Sequence, residues 1–466
     1  MQLFCYDELI KGDHEVRAID AFVDLIVSQA PDKYVVVGNA DTGAPAYSAP
    51  DMIKLYLYGY MNRVTSSRRL EMECNRNLEV RWLLNELAPD HKTIANFRKD
   101  YGNLITQFSK DLVLWLRKQE YVTGKVVATD GTKVKANTSR AIENKDDVQK
   151  RLARFVIEHG QFLEQMNVND NNDDAQDNTI KEVSLRDQVL VHQAEIARLR
   201  EILDQMDMQG VDKLSMNDPE ARIMKTRADG KVSGYNVQMS ADAKHGFIVS
   251  TEVTQDSNDN NQIEAQLANV IEALGHAPEV IVADTGYHNP DMIERIEKTM
   301  QGTTSIFIGQ PRNQAGRDIY GGTGVSFTWN AENKEYRCSR GKPLVLKASN
   351  KKVKNTFGNI YQGTECNGCS LRSLCTKSKK GRVLVRYHNQ EYRDALAKRM
   401  KTQEAKQKQK QRKETDEHIF GTWKMWMGKI PLLLLGVKNV QTEIKLYSSA
   451  FNLRRLINLN VAMPKG

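Results

Sequence analysis

At 466 residues the chain is longer than one compact core organises, and it divides into two or three folded units. Hydrophobic residues at 40% and charged residues at 27% exclude wholesale disorder, and the longest aliphatic run, Leu432 to Leu435, falls far short of the roughly 20 apolar residues a membrane span requires. A net charge of +8 and a pI near 8.9 point to a polyanionic partner.

The N-terminus carries acids early and has no basic region ahead of an apolar run, so it reads as cytoplasmic, with no membrane partner. From 15 to 120 the apolar residues recur at spacings of three and four, which predicts an all-helical first domain over 1–120. Ser66 or Ser67 and Asp90 stand where helix N-caps belong. Arg68, Arg69, Lys92, Arg98 and Lys99 are expected on exposed faces, either solvated or against DNA. Cys5 and Cys74 read as core residues.

The pattern changes at "GKVVATDGTKVKAN". Val126 to Ala128 read as a short strand and Asp130-Gly131 as a turn or bulge, which opens an α/β part. Residues 141–165 and 180–207 return to helical spacing around the polar stretch "NVNDNNDDAQDN", so a helical hairpin insertion is expected over about 141–215, with a mobile tip. "GYNVQMSAD" and "GFIVSTEVT" read as strands, "NNQIEAQLANVIEALG" as an amphipathic helix, and "EVIVADTGY" as a buried strand ending in Asp284. A helix "NPDMIERIEKTM" and a strand "TSIFIGQP" follow.

The segment 311–390 is rich in Gly, Asn, Lys and short β-like runs and reads as an insertion. It holds Cys338, Cys366, Cys369 and Cys375, a Cys-Xaa2-Cys pair with two further thiols. Six cysteines in a chain that reads as cytoplasmic argue against a disulfide framework. Two readings remain: a structural zinc ion closed by four thiolates, or four reduced thiols packed as small hydrophobes. The run Lys398 to Lys413 holds many cations and one acid, Glu404, and leads into a helix containing "EHIFGTWKMWMG". The last helix, "VQTEIKLYSSAFNLRRLINLN", carries Ile444, Tyr447, Phe451 and Leu456 along one side. These helices form a final part, 391–466.

Asp130 and Asp284 each follow a strand, where the ends of one sheet open to solvent and ligands gather. Either alone could be a turn-forming Asp. Paired, they suit phosphoryl transfer, which needs hard anionic oxygens around two divalent ions roughly 3.5–4 Å apart. "VVATDGTKVKAN", "VIVADTGYHN" and "EHIFGTWKMWMG" resemble, in order, the three catalytic blocks of the DDE transposases of bacterial insertion sequences. "YGYMNRVTSSRRLEMECNRNLEVRWLLNELAPDHKTIANFR" resembles the helical N-terminal domain of the same group, and "NLRRLINL" its closing helix.

The resemblance implies a mixed α/β, RNase H-like sheet flanked by helices over 121–310 and 391–466. Asp130, Asp284 and Glu417 would be the catalytic acids and the ligands of two Mg²⁺ or Mn²⁺ ions. The group's third block follows a Tyr, Arg, Glu, Lys signature with Lys seven positions after Glu. Glu417 and Lys424 fit it, since seven residues return within roughly 20° of one helix face. Lys413 stands at the Arg position and Lys410 at the Tyr position, and Glu414 is the rival third acid. Lys133, Lys135, Lys413 and Lys424 would meet DNA phosphate, with Thr132 beside the first acid. His288 is expected to be structural, with a DNA contact as the alternative. The activity implied is cleavage of element ends and strand transfer to target, on double-stranded DNA and by a homodimer. The rivals are an inactive DNA-binding descendant and a metal-dependent nuclease without strand transfer.

Overall fold

A computed structural model describes residues 6–36, 46–138, 142–170, 179–226, 230–310, 325–353, 356–426 and 431–462, without the side chains of 6, 165–170, 179–186, 424–426 and 461–462. Most of the expected hairpin tip, the 311–324 stretch and Cys5 lie outside the described residues.

The chain begins with helices α1 (Glu15–Ser28), α2 (Ala49–Met61), α3 (Ser67–Arg76), α4 (His91–Asp100) and α5 (Gly102–Lys118). Asp90 caps α4 by accepting from the Thr93 amide at 2.6 Å, and Ser48 does the same for α2 from Asp51. Ser66 occupies the cap position of α3 without a side-chain bond. Helix α2 is buried all round from Met52 to Met61, so it is the centre of the bundle. Its one cation, Lys54, is held by Asp20 at 2.7 Å and Asp24 at 2.8 Å. A Cβ on Gly59 would stand 2.5 Å from the Val64 carbonyl oxygen, so only glycine lets the chain turn so closely after α2.

Strand β1 (Val126–Lys135) starts the α/β part. Next come the hairpin helices α6 (Lys145–Asp170) and α7 (Thr179–Gln209). Their own small core holds Val148, Leu199, Ile202 and Met206, and Ile142–Asn144 pairs with Lys213–Ser215 at the base. Strands β2 (Arg222–Thr226), β3 (Gly230–Asp242) and β4 (Phe247–Thr254), helix α8 (Ile263–Leu274), strand β5 (Val280–Ala283), helix α9 (Pro290–Thr299) and strand β6 (Ser305–Ile308) complete it. The sheet runs β2-β3-β1-β5-β6, with β4 on β3. The β3-β1 and β3-β4 pairs are antiparallel, and β1-β5 and β5-β6 are parallel.

A separate antiparallel sheet follows, β7 (Phe327–Asn330), β8 (Glu335–Cys338), β9 (Pro343–Val353), β10 (Thr356–Gly363) and β11 (Val383–Tyr387), paired in the order β11-β10-β9-β8-β7. Helices α10 (Gln390–Arg399), α11 (Gln403–Trp426) and α12 (Val437–Ala462) end the chain.

Helix α12 joins the two halves. One side buries Ile444, Tyr447 and Phe451 in the same core as α2 and β4. Among the described residues strand β4 pairs with β3 on one side, and α12 covers its other edge with polar side chains. Asn452 accepts from the Ile248 amide and donates to its carbonyl, both at 2.8 Å, while Gln441 accepts from Val253 N at 2.7 Å and donates to Thr251 O at 3.1 Å. Arg98, expected on the surface, is instead buried against Glu443 of α12 at 3.6 Å and donates to Tyr60 and the Thr65 carbonyl. Its position on the inner side of α4 turns it into an interdomain tie. Among the described residues no helix is long and apolar enough to cross a membrane.

Candidate active site

Asp130 is not in a turn. Strand β1 runs straight through it to Lys135, because the antiparallel partner β3 continues alongside from Asp242 to Gly234. The parallel partner β5 stops sooner, with Val126 to Thr129 opposite Val280 to Ala283. The residues that follow this last pair are Asp130 and Asp284. The two acids therefore leave adjacent parallel strands at one level, about 4.8 Å apart in the hydrogen-bonding direction. Asp284 then caps the short turn Thr285–Tyr287, accepting from Gly286 N at 2.7 Å, which fixes its carboxylate at the mouth of the sheet.

Helix α11 crosses these strand ends. Ala405, Gln409, Arg412, Asp416, Ile419 and Trp423 recur at three and four and face the sheet, and Gln409 donates to the carbonyls of Ala283 and Phe307 at 3.0 and 3.1 Å. Asp416 is 1% exposed. The Arg412 guanidinium lies between it and Asp130, 3.2 Å from Asp416 and 3.3 Å from Asp130. Glu417, the acid expected here, is exposed, as is Glu414. One residue is about 100° of helix, so the phase that buries Ile419 and Trp423 turns Asp416 inward and Glu417 out.

A fourth carboxylate, Asp259, comes from the loop after β4 and was not singled out by sequence. It accepts from Lys133 at 3.0 Å and from Asn236 and Gln238 at 2.7 Å. A Cβ on Gly131 would lie 2.7 Å from its Oδ1, so the glycine after Asp130 makes room for this carboxylate instead of bending the chain. Lys133 is thus engaged inside the acidic group. Tyr287, fully buried, donates to Gln238 and senses all four acids, which with burial, the larger cause, holds its hydroxyl protonated.

Crowded carboxylates in a partly dry site resist ionising together. Burial first, and the Asp284 charge second, push the Asp130 carboxyl up to about 6. Burial and the Asp130 charge likewise raise Asp416 well above the usual carboxylate range, against the pull of Arg412. Asp416 Oδ1 is buried with no hydrogen-bond partner among the described residues. Among the described residues no three ligating side chains are already closed around one metal position. The donor set nevertheless suits a divalent cation: hard oxygens, mutual repulsion, and an orphaned oxygen that water does not reach.

Lys135, Lys410 and Lys413 are exposed, and the Lys424 side chain is outside the described residues. His288 is partly buried, and burial and then Arg393 lower its pKa, which disfavours the charged form at neutral pH. Thr132 is buried.

A mixed sheet with clustered acids where adjacent parallel strands stop pairing is joined here to a helical first domain, and residues 4–100 match a transposase domain family (DUF772). Residues 337–457 match a transposase DDE domain family, and the two matches together support an insertion-sequence DDE transposase. Asp130 and Asp284 lie between the matched segments, and Asp416 and Glu417 lie inside the second. No curated protein and no solved structure gives a match.

Proposed function

We propose that this transposase cleaves the phosphodiester at the ends of its DNA element and joins the freed 3′-hydroxyl to target DNA, using Asp130, Asp284 and Asp416 to hold two Mg²⁺ or Mn²⁺ ions. The observation that carries it is the shared level of Asp130 and Asp284 on adjacent parallel strands, faced by Asp416 from α11. The strand order, two antiparallel strands, then β1, then two parallel ones, supports an RNase H-like core. Bound ions would activate the attacking oxygen and stabilise the leaving one in an in-line displacement.

The chain's own groups set the stage. Asp259 and Lys133 brace the strand beneath Asp130, and Gln409 fixes the angle of α11 against the strand ends. Arg412 neutralises Asp130 and Asp416 and so limits their repulsion in the folded chain. Exposed Lys135 and Lys413 are assigned to DNA phosphate, and Lys424 is placed on the same helix. Arg68 and Lys92 flank a shallow groove between α3 and α4 and supply further phosphate contacts. Two copies bound across two element ends complete the reading, and light scattering of the DNA complex measures that stoichiometry.

The test is strand cleavage and joining on duplexes carrying the element's own ends, with Mg²⁺ or Mn²⁺. Metal-dependent nicks followed by joined products are expected. Nicks without joining would leave a nuclease, and binding without nicks would leave a DNA-binding descendant. Asp416→Asn should stop cleavage while Glu417→Gln leaves it near wild type; the reverse outcome would return the third position to Glu417.

A further inference from the structure

The five-stranded sheet of β7 to β11 has very little interior. Its buried apolar residues are Tyr336, Leu344, Tyr361 and Leu384, while Val345, Leu346, Phe357 and Val383 remain between 42% and 50% exposed. A module this thin does not persist on burial alone, and small folds of this kind are held by covalent or metal staples.

Three segments meet at one end of the sheet, and each brings sulfur. Cys338 ends β8 and heads a tight turn, where its carbonyl accepts from Gly341 N at 2.7 Å and its amide donates to Lys342 O at 3.0 Å. Cys366 and Cys369 lie on a second turn after β10, with Cys369 N donating to Cys366 O at 3.4 Å and Gly368 at a left-handed φ of 79° between them. Cys375 ends the single helical turn Arg372–Cys375. All four thiols are free, partly buried and line one cavity.

The surroundings are arranged for sulfur as an acceptor. The Arg382 amide lies 3.5 Å from Cys366 Sγ, and the Arg382 guanidinium donates to the Cys375 carbonyl at 2.8 Å. A Cβ on Gly363 would come 2.7 Å from Cys366 Sγ and one on Gly381 3.2 Å from it, so glycine on both sides keeps that sulfur free to turn into the cavity.

We infer that Cys338, Cys366, Cys369 and Cys375 form a structural zinc site that closes the end of the β7–β11 sheet. Four thiolates fill a tetrahedral shell and leave no open position, so the ion holds structure and does no chemistry on DNA. Each thiol gives up its proton on coordination, and the sulfurs draw in from their places around the cavity to about 2.3 Å from the ion. The site stands apart from the carboxylate cluster and does not depend on the cleavage reading.

The full chain, purified under reducing conditions without chelator, should carry close to one zinc per molecule by elemental analysis. Replacement by Co²⁺ should give the intense visible bands of tetrahedral thiolate coordination. Cys338→Ser and Cys369→Ser should each lose the bands and most of the zinc, whereas Asp284→Asn should keep both. Removing zinc should speed proteolysis within 325–387 at least tenfold and leave α12 and the large sheet protected. Absence of zinc, an octahedral cobalt spectrum, or disulfides among the four sulfurs by mass spectrometry would each overturn the inference. The zinc and cobalt measurements on the unmodified chain decide the matter even if the serine variants fail to fold.

Discussion

Asp416 and Glu417 are adjacent, yet only one of them faces the sheet, and the reason is helical phase. A seven-residue spacing to Lys424 singles out Glu417, whereas Ile419, Phe420 and Trp423 fix the buried face of α11 and bring Arg412 and Asp416 onto it. Reading that apolar phase would have placed Asp416 on the inner face from sequence; Asp259, in a polar loop, left no such signal. Asp130→Asn, Asp284→Asn and Asp416→Asn should each lower single-turnover strand cleavage at least roughly a hundredfold. DNA retention in a mobility shift should change little. Lys445 offers an independent residue-scale test. Its ammonium donates to Thr251 O at 3.0 Å, and burial, with the Lys110 charge second, brings its pKa down to about 8. The unfolded lysine, near 10.4, then holds the proton more tightly than the folded one. Stability therefore rises with pH across the window from about 8 to 10.4. Lys445→Met should be more stable at pH 7 by about 1–2 kcal/mol, with the advantage gone near pH 10.5; thermal melts of both chains across that range check it.

At the scale of elements, β1 shows why a strand was misread as a turn. Asp-Gly is a strong turn signal, but β3 continues as an antiparallel partner past Asp130, and the backbone bonds of that ladder outweigh the local preference. Helix α12 is a second case. Its apolar stripe was legible, but Gln441, Lys445 and Asn452 looked like ordinary surface residues until they were found completing the open edge of β4. Asn452→Leu should leave the Ile248 amide and carbonyl unpaired and cost about 1–3 kcal/mol of stability, measurable by denaturant unfolding. The Arg98–Glu443 tie should respond more strongly. Arg98→Met or Glu443→Leu alone, each stranding a buried charge, should cost about 3–5 kcal/mol, and the double variant less than the sum. Additive losses in a double-mutant cycle would show that the two side chains do not act as a pair.

For the whole molecule, the hairpin α6–α7 has a core of its own and joins the rest of the described chain at its base, where Asn144 pairs directly with Lys213. Replacing residues 145–212 with an Asn-Gly turn should leave the remainder folded, with its melting temperature within about 4 °C of the full chain. A molten product by near-ultraviolet circular dichroism would show that the hairpin is needed for the core. The two proposed metal sites also separate at this scale. A chelator of Mg²⁺ and Mn²⁺ should stop cleavage at once and reversibly without exposing the β7–β11 sheet to protease, while loss of zinc should do the opposite first.

Sequence alone determined the order of elements, the helical first domain, the place of Asp284 directly after a buried strand, and the four sulfurs of the small sheet, because these follow from local periodicity, composition and spacing. It also carried the likeness to transposases that the family matches support. Tertiary structure decided which neighbour on α11 points inward, that Arg98 is buried, that Lys133 serves Asp259, and that Gly131 makes room for a carboxylate instead of a turn. Each of those depends on what stands opposite a residue across tens or hundreds of positions, and the free energy of burying or pairing a charge is set by that partner and not by the residue's neighbours in the chain.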